Sequence, residues 1–358
     1  MSNSNPVIVA AARTPFGRLG GGLASVPATQ LGGHVIRTVV ERAGVDPAQV
    51  DQVVMGTVLP AGLGQVPARQ AALAAGLPSS VSAFTVNKVC ASALKAINLG
   101  ALLIKSGEAG IVVAGGMESM SRAPYLLEDQ RFGARMGDRV VVDSMMRDGL
   151  CCPVDGVLMG VHGSDVAREL GVTREEQDEW ALRSQLRYRD ALASGAFGDE
   201  IVATPVNGRS VDADEQPRAD TTLEKLAALQ PVFGSDSSIT AGNAPGMNDG
   251  ATAVLLMSAE RAATAGLQPL GEWIGYGESA QDHPYLATVP ALAIEHAMAK
   301  TRGEVSTDRL TLVEINEAFA AVAITSTRML EVDPDIVNVK GGAIAVGHPI
   351  GASGARIL

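Results

Sequence analysis

Hydrophobic and polar positions near the start of the chain follow a strand–helix–strand order. An apolar run at Val7–Ala12 predicts a strand, and Gly20–Gly22 predicts a loop. Apolar positions at helical spacing predict a helix over Leu31–Arg42, and a second apolar run predicts a strand over Val50–Thr57. This βαβ order is typical of α/β proteins.

The same order returns much later in the chain. A strand is predicted at Trp273–Gly277, a helix at Val289–Lys300 and a strand at Leu310–Ile315. The segments DPAQVDQVVMG and STDRLTLVEIN take equivalent places in the two units. We interpret this as an internal duplication, which predicts two similar α/β halves.

Residues 121–249, between the halves, have a different pattern, with charged helical stretches and loops rich in Gly and Asp. A helix is predicted over Thr173–Ala193, beginning with a capping box formed by Thr173 and Glu176. The apolar run Ala251–Met257 predicts a strand that returns to the sheet of the first half. The intervening region is therefore interpreted as a large insertion.

Composition adds to this picture and excludes some classes of function. Of 358 residues, 46% are hydrophobic but only 3% aromatic, and 40 are glycine, so a core of small aliphatic side chains is expected. A formal charge of −11 argues against a broad nucleic-acid or anionic-membrane surface. No signal-like segment or apolar run of membrane-spanning length is recognised, and three cysteines cannot form a disulfide framework, so a cytoplasmic location is expected.

Cys90 is the first candidate for chemistry. It lies between an apolar strand (Ala83–Val86) and an apolar helix (Ala91–Leu103), where the helix N-terminus is expected to lower the thiol pKa. Although an isolated cysteine is more often a buried structural residue, this position favours a nucleophile.

His348 lies within GGAIAVGHPIGASG, a glycine-rich turn predicted to follow a strand and to open a helix. A neutral imidazole held there could accept a thiol proton or donate to an oxyanion. If the two halves are similar, their equivalent turns should bring Cys90 and His348 together.

Two further segments have two interpretations each. Asn316, after the predicted strand Leu310–Ile315, could orient a water or a carbonyl, or could cap the next helix. The segment Ser238–Ala251, rich in small residues, could press against a narrow ligand or could pack two backbones closely.

Other candidates are weaker. Cys151 and Cys152 have no histidine in a recognisable pattern, and no histidine pair has metal-ligand spacing, so no metal site is expected. Gly20–Gly22 does not open a helix directly after a strand, so a dinucleotide or phosphate loop is not expected.

Taken together, these motifs resemble the thiolases, the acyl-CoA C-acyltransferases typified by acetyl-CoA acetyltransferase, along essentially the whole chain. The stretches that carry the resemblance are AARTPFGR, GQVPARQAAL, NKVCASALKAI, AGGMESMSRAPY, TAGNAPGMNDGA, EINEAFA and GGAIAVGHPIGASGARIL.

The resemblance implies the five-layered αβαβα thiolase fold, with two duplicated halves and an inserted loop domain that covers coenzyme A. The expected domains are an N-terminal half (1–120 plus 250–268), a loop domain (121–249) and a C-terminal half (269–358). A homotetramer is also implied, with the GQVPARQ stretch near a dimer interface. Acyl-CoA thioesters are then the substrates, and neither a separate cofactor nor a metal is expected.

The resemblance also implies roles for individual residues. Cys90 would take the acyl group, with its own backbone N–H serving one oxyanion hole. His348 would activate the thiol and bind the thioester oxygen, and Asn316 would hold the water that completes that hole. The coenzyme would lie against residues at the matching positions, which are Met159, Arg218, Ala241, Ala244, Ala318 and Phe319.

Three departures from the thiolase pattern stand out. Pro245 replaces a serine that would hydrogen-bond the pantetheine arm, and Leu158 replaces a histidine beside the thioester. Thiolases continue through a helix to a strand ending in Cys-x-Gly-Gly-Gly, whose cysteine exchanges the α-proton, and the printed sequence stops before it. The C-terminal half is therefore expected to lack its last helix and strand, and the activity of the 358-residue form to depend on that segment.

The principal hypothesis is a reversible acetyl-CoA C-acetyltransferase with an acyl-cysteine intermediate. One alternative is a degradative 3-ketoacyl-CoA thiolase of fatty-acid β-oxidation. Another, from a different class, is a thiolase-like protein that binds acyl-CoA without catalysis.

Overall fold

The computed structural model describes residues 5–301 and 303–358. Its strands are β1 (Pro6–Arg13), β2 (Gly17–Arg18), β3 (Gln52–Gly56), β4 (Ser82–Val86), β5 (Ile111–Ser119), β6 (Tyr125–Leu126), β7 (Val142–Asp143), β8 (Thr204–Val206), β9 (Arg209–Val211), β10 (Asn248–Ser258) and β11 (Gly271–Glu272). Its α-helices are α1 (Ala28–Arg42), α2 (Pro67–Ala74), α3 (Ser92–Ser106), α4 (Met159–Glu169), α5 (Arg174–Ala193), α6 (Leu223–Ala227), α7 (Ala259–Thr264), α8 (Val289–Lys300), α9 (Ala320–Met329), α10 (Ala343–Val346) and α11 (Ser353–Arg356).

One mixed sheet organises the first half. Its strand order is β11-β1-β10-β5-β3-β4, with β2 paired to the start of β10. β3 runs parallel to both β4 and β5, whereas β10 is antiparallel to β1 and β5. The strand predicted at Ala251–Met257 is confirmed as part of β10, which returns to the middle of this sheet.

Both faces of the sheet are buried, which explains why its strands read as continuous apolar runs. On β3, Val53 packs into the core that contains α1 and α2, while Val54 packs into the core that contains α3. This alternation follows from the period of two in a strand. The glycine at Gly56 is needed here, because a Cβ would lie 2.7 Å from the backbone of Ser92.

The helix that follows Cys90 is strongly apolar. The 18-residue segment Val89–Ser106 has a mean hydropathy of 1.4 and reaches the length and composition of a membrane span, although Lys95 and Asn98 interrupt its apolar run. The physical reason is its position: α3 packs against β3, β5 and β10 and against α11, as the core helix of a layered fold.

The inserted region is tied to the first half by a buried ion-pair network. Arg13, fully buried on β1, donates to both carboxylate oxygens of Asp214 at 2.6 and 2.9 Å and also contacts Glu200. Tyr188 of α5 donates its hydroxyl to Asp214 as well. α5 begins with the predicted capping box, in which Thr173 and Glu176 bond reciprocally.

In the second half α8 forms over Val289–Lys300, as predicted, but two predicted strands do not form. Instead of continuing a strand, Trp273–Gly277 leaves the sheet after β11, with Trp273 bonded to Asn98 and Gly277 packed against the backbone of α8. Leu310–Ile315 makes a single parallel bridge, Val313 to Val337.

The reason for the second difference lies in Asn338. Its φ of +51° turns the backbone away after Val337. Its side-chain amide then takes both hydrogen bonds of Ile315 that a neighbouring strand would otherwise take, accepting from the N–H at 2.8 Å and donating to the carbonyl at 2.9 Å. A side chain therefore replaces backbone pairing at this point.

Candidate active site

Cys90 lies in a tight turn between β4 and α3. Val89, immediately before it, has a φ of +46°, which is unusual and strained for a β-branched residue. The turn is held by Asn87, whose side chain accepts from the Val89 N–H at 3.0 Å, and by Ser92, whose hydroxyl donates to the Val89 carbonyl at 2.6 Å. This turn places a partly buried thiol one residue before the N-cap of α3.

His348 is fixed at both its backbone and its ring. Its backbone N–H donates to Asn248 at 2.8 Å, and its ring Nδ1 lies 2.6 Å from the hydroxyl oxygen of Ser353. The Ser353 hydroxyl donates to the carbonyl of Pro349 at 3.0 Å, so its oxygen is left to accept from Nδ1–H. The proton of the neutral ring is therefore on Nδ1, and Nε2 carries the free lone pair.

The glycine before His348 is required by this arrangement. Gly347 has a φ of +108°, and a Cβ at this position would lie 2.8 Å from the Asn248 side chain that accepts the His348 N–H. The glycine-rich turn therefore allows the histidine backbone to approach the start of β10 closely.

The fold brings the two predicted residues together. Nε2 of His348 lies 3.2 Å from Sγ of Cys90, although the residues are 258 positions apart. Burial raises the pKa of the Cys90 thiol to about 11, with the Glu118 carboxylate also raising it and the Cys90 N–H lowering it. Burial lowers the pKa of His348 to about 4.

These values correct the expectation of a thiolate formed at the helix N-terminus. Desolvation outweighs the helix end, because a charged sulfur is costly in a site enclosed by apolar side chains. The resting pair is a neutral thiol beside a neutral imidazole whose lone pair faces it. Proton transfer from sulfur to Nε2 is therefore expected as the sulfur attacks.

Asn316 lies beside the same ring nitrogen. Its amide Nδ2 is 3.3 Å from Nε2 of His348, and its carbonyl oxygen is buried without a hydrogen-bond partner in the described part of the chain. The helix-cap interpretation is wrong, since α9 begins at Ala320 with Phe319 as the N-cap. An unpartnered buried acceptor indicates a place for a water or a substrate group.

A buried carboxylate lies beneath the site. Glu118, at the end of β5, accepts from the Thr57 hydroxyl and from the backbone N–H groups of Val58 and Leu59, at 2.8–3.3 Å, and its carboxylate is also bonded by the Gly351 N–H. Burial nevertheless raises its pKa to about 7. Glu118 thus connects the first half to the turn that carries His348.

The predicted coenzyme contacts divide into two groups. Met159, Ala244, Ala318 and Phe319 belong to one apolar cluster, so the fold does bring them together. Arg218 and Ala241 are exposed and lie outside that cluster. Their assignment to the coenzyme remains a prediction.

A cavity of about 190 Å³ lies next to this cluster and not at Cys90. It is lined by Phe233 and by residues 161, 164, 165 and 168 of α4. At 100° per residue these α4 positions form the face opposite to His162 and Gly163. Gly163 contacts Phe319 on that opposite face, and Phe233 belongs both to the cavity wall and to the apolar cluster.

The structure also places a histidine near Cys152, which the sequence interpretation did not. One ligand atom each from Cys152, Asp155 and His162 lie within 4.8 Å of one another. The sequence spacing does not predict this group, because it forms only when a hairpin from Cys151 to Leu158 folds Cys152 and Asp155 back onto α4.

Sequence reasoning missed three residues that shape the site. Ser353 and Glu118 lie in the quoted motifs GASG and GGMESM, where a polar residue among small ones was a usable signal. The third is Val89, whose positive φ could not be predicted, because β-branched residues rarely adopt this conformation.

Comparisons with known proteins agree with this geometry. Residues 6–260 match the family described as Thiolase, N-terminal domain, and residues 267–358 match Thiolase, C-terminal domain. An acetyl-CoA acetyltransferase of Pseudomonas aeruginosa is 49% identical over 98% of this chain and 90% of its own length. One of Cupriavidus necator is 48% identical with the same coverage.

A solved structure agrees as well. The crystal structure of the Bacillus anthracis acetyl-CoA acetyltransferase superimposes with a TM-score of 0.94 at 41% identity, covering 99% of this chain and 90% of that one. The predicted thiolase fold is confirmed, and the chain belongs to the thiolase family.

Proposed function

We propose that the protein is an acetyl-CoA C-acetyltransferase that works through an acetyl group carried on Cys90. The observation that carries this proposal is the 3.2 Å contact between Sγ of Cys90 and the unprotonated Nε2 of His348. The relatives named acetyl-CoA acetyltransferase add support through their 47–49% identity.

The acyl-transfer half of the reaction follows from these groups. The Cys90 sulfur attacks the thioester carbonyl carbon while its proton moves to Nε2 of His348. The tetrahedral intermediate collapses, the bond from carbon to the coenzyme sulfur breaks, and Nε2 returns the proton to the leaving thiolate. Acetyl-Cys90 and free coenzyme A are the products, and His348 is neutral again.

Asn316 and the Cys90 N–H provide the oxyanion sites in this proposal. The free carbonyl oxygen of Asn316 can accept from a water that in turn donates to the thioester oxygen. The apolar cluster of Met159, Ala244 and Phe319 would hold the pantetheine arm, and exposed Arg218 would face the anionic end of the coenzyme. In the second half an α-proton of another acetyl-CoA passes to a base, the resulting carbanion bonds to the acetyl carbon, and the bond from that carbon to the Cys90 sulfur breaks. The Cys90 sulfur then regains a proton, which balances the one removed, and the thiolase resemblance gives the role of the base to the cysteine of the Cys-x-Gly-Gly-Gly segment.

The surroundings of Cys90 favour a short acyl group. The thiol packs against a cluster of bulky side chains that includes Met120, Met145 and Ile350. Such a site leaves little room for a long chain beyond the carbonyl. A degradative thiolase for longer 3-ketoacyl-CoA chains is the second candidate, and thiolysis rates measured against chain length separate the two.

Intact-mass measurement after incubation with acetyl-CoA tests the proposal. One acetyl group on Cys90 is expected, absent in Cys90→Ala and retained in the neighbouring-thiol control Cys151→Ser. Binding of acetyl-CoA with no adduct would instead support a non-catalytic acyl-CoA-binding protein and refute the enzyme assignment.

A homotetrameric assembly is also proposed. Support comes from the segment 125–141, where large apolar side chains are exposed, with Phe132 91% and Met136 90% exposed. Val66 and Leu73, in the GQVPARQAAL stretch, are likewise nearly half exposed. Light scattering of the wild type and of Phe132→Asp should show four subunits in the former and fewer in the latter.

A cytoplasmic location and a role in lipid metabolism are also proposed. Cys90, Cys151 and Cys152 are all free thiols, which suits a reducing compartment. Cell fractionation with an antibody to the protein tests this location.

A further inference from the structure

We propose that Cys152, Asp155, His162 and His283 form a binding site for a divalent transition-metal ion, with zinc as the best match. The four side chains offer one thiol, one carboxylate and two imidazoles, a ligand set that tetrahedral zinc sites use. The proposal does not depend on the acyltransfer activity.

The contacts within the group are close and shared. The Asp155 carboxylate contacts both imidazoles, with Oδ2 2.8 Å from Nε2 of His162 and Oδ1 2.9 Å from Nε2 of His283. The two rings are 5.8 Å apart between centroids. The Cys152 ligand atom lies within 4.8 Å of those of Asp155 and His162, so small side-chain adjustments would bring these three around one ion. His283, which contacts the Asp155 carboxylate, would move closer to complete the set.

Burial supports a ligand role for two members. Cys152 is 4% exposed and His162 is 6% exposed. Nε2 of His162 faces the Asp155 carboxylate, and the other ring nitrogen, Nδ1, is buried with no hydrogen-bond partner among the residues that the structure describes. Asp155 and His283 are partly exposed and leave a path from solvent.

The backbone holds the thiol and the carboxylate in position. The Cys152 N–H donates to the Val157 carbonyl at 2.8 Å, and the Gly156 N–H donates to the Cys152 carbonyl at 2.9 Å. Gly156 has a φ of +71°, which closes the turn. The hairpin therefore holds both Cys152 and Asp155 on the side that faces α4, the helix that carries His162.

Charge also favours a divalent ion. Metal binding removes the Cys152 thiol proton, and the resulting thiolate and the Asp155 carboxylate together balance two positive charges. The ion would link the hairpin, α4 and the loop before α8, since His283 comes from that loop. Tyr285 of the same loop already bonds Glu169 at the end of α4, at 2.9 Å.

Cobalt(II) provides the test, because a thiolate ligand gives it a charge-transfer absorption in the near ultraviolet and a tetrahedral site gives it visible bands. The full chain carries Cys90→Ala so that the catalytic thiol cannot bind the probe. We expect one equivalent of Co²⁺ with both absorptions, displaced by one equivalent of Zn²⁺. Cys152→Ser should lose the charge-transfer band, and the adjacent control Cys151→Ser should keep it.

His283 provides a variant that should not disturb folding, because it lies in an exposed position. His283→Ala should weaken Zn²⁺ binding about 10-fold or more, whereas His296→Ala, an exposed histidine on α8, should not change it. Failure of the Cys90→Ala protein to bind Co²⁺, a charge-transfer band that survives in Cys152→Ser, or equal affinity in His283→Ala would each overturn the proposal.

Discussion

Replacing Glu118 by glutamine should flatten the dependence of stability on pH. In the folded protein burial raises the pKa of Glu118 from 4.5 to about 7. The folded state therefore binds this proton more tightly than the unfolded state, so stability is greatest below the unfolded pKa and is lost as pH rises through about 7. This difference corresponds to about 3 kcal/mol over the whole window.

Between pH 5 and pH 8 Glu118 should account for about 2–3 kcal/mol of lost stability. Urea unfolding of the wild type and of Glu118→Gln at both pH values measures it, and contributions from other groups cancel in the comparison. The glutamine amide faces the Val58 N–H, so the variant should be less stable at every pH. The readout is therefore the slope of the free energy of unfolding against pH.

Exposed Glu108→Gln is the matched control and should follow the wild type. Equal slopes for the wild type and Glu118→Gln would refute the reasoning, because they would mean that four hydrogen-bond donors keep the carboxylate ionised despite its burial.

Three further outcomes follow from the contacts. Ser353→Ala removes the acceptor that holds the Nδ1 proton of His348, a bond of about 1–1.5 kcal/mol. The rate of acetyl transfer should therefore fall about 10-fold with little change in acetyl-CoA affinity, as measured by rapid-quench mass spectrometry. Pro245→Ser restores a donor near the pocket and should lower the KM for acetyl-CoA by about 2- to 10-fold, whereas an unchanged KM would place Pro245 away from the pantetheine arm. Asp214→Asn leaves the buried Arg13 without its full ion pair and should lower the free energy of unfolding in urea by about 3–5 kcal/mol. A decrease below about 1 kcal/mol would show that Glu200 alone satisfies Arg13.

The sequence predicted the pairing of Cys90 and His348 from equivalent turns in two similar halves, although helix α10, and not the expected strand, leads into His348. It also predicted α5 and α8, whose capping box or apolar spacing is a local signal. It could not predict the protonation of the pair, because the raised thiol pKa depends on side chains packed around it from distant parts of the chain.

Other misses have the same origin. The segment Leu310–Ile315 has the apolar pattern of a strand, but the amide of Asn338 occupies the hydrogen bonds that a neighbour would take. Cys152 and His162 lack a recognised metal spacing, yet a hairpin brings them together. In both cases a contact between separate segments overrides what the local pattern indicates.

The buried polar groups explain why the catalytic pair keeps its geometry across two halves that are far apart in sequence. Asn248 on β10 fixes the backbone of His348 from the side of the first half, and Glu118 on β5 does the same for Gly351, three residues beyond it. The turn that carries the histidine is therefore attached to the sheet beneath Cys90 at two points on either side of the imidazole. A change at Glu118 that weakens its bond to Gly351 should consequently lower the acetyl-transfer rate as well as stability, although Glu118 makes no contact with the imidazole.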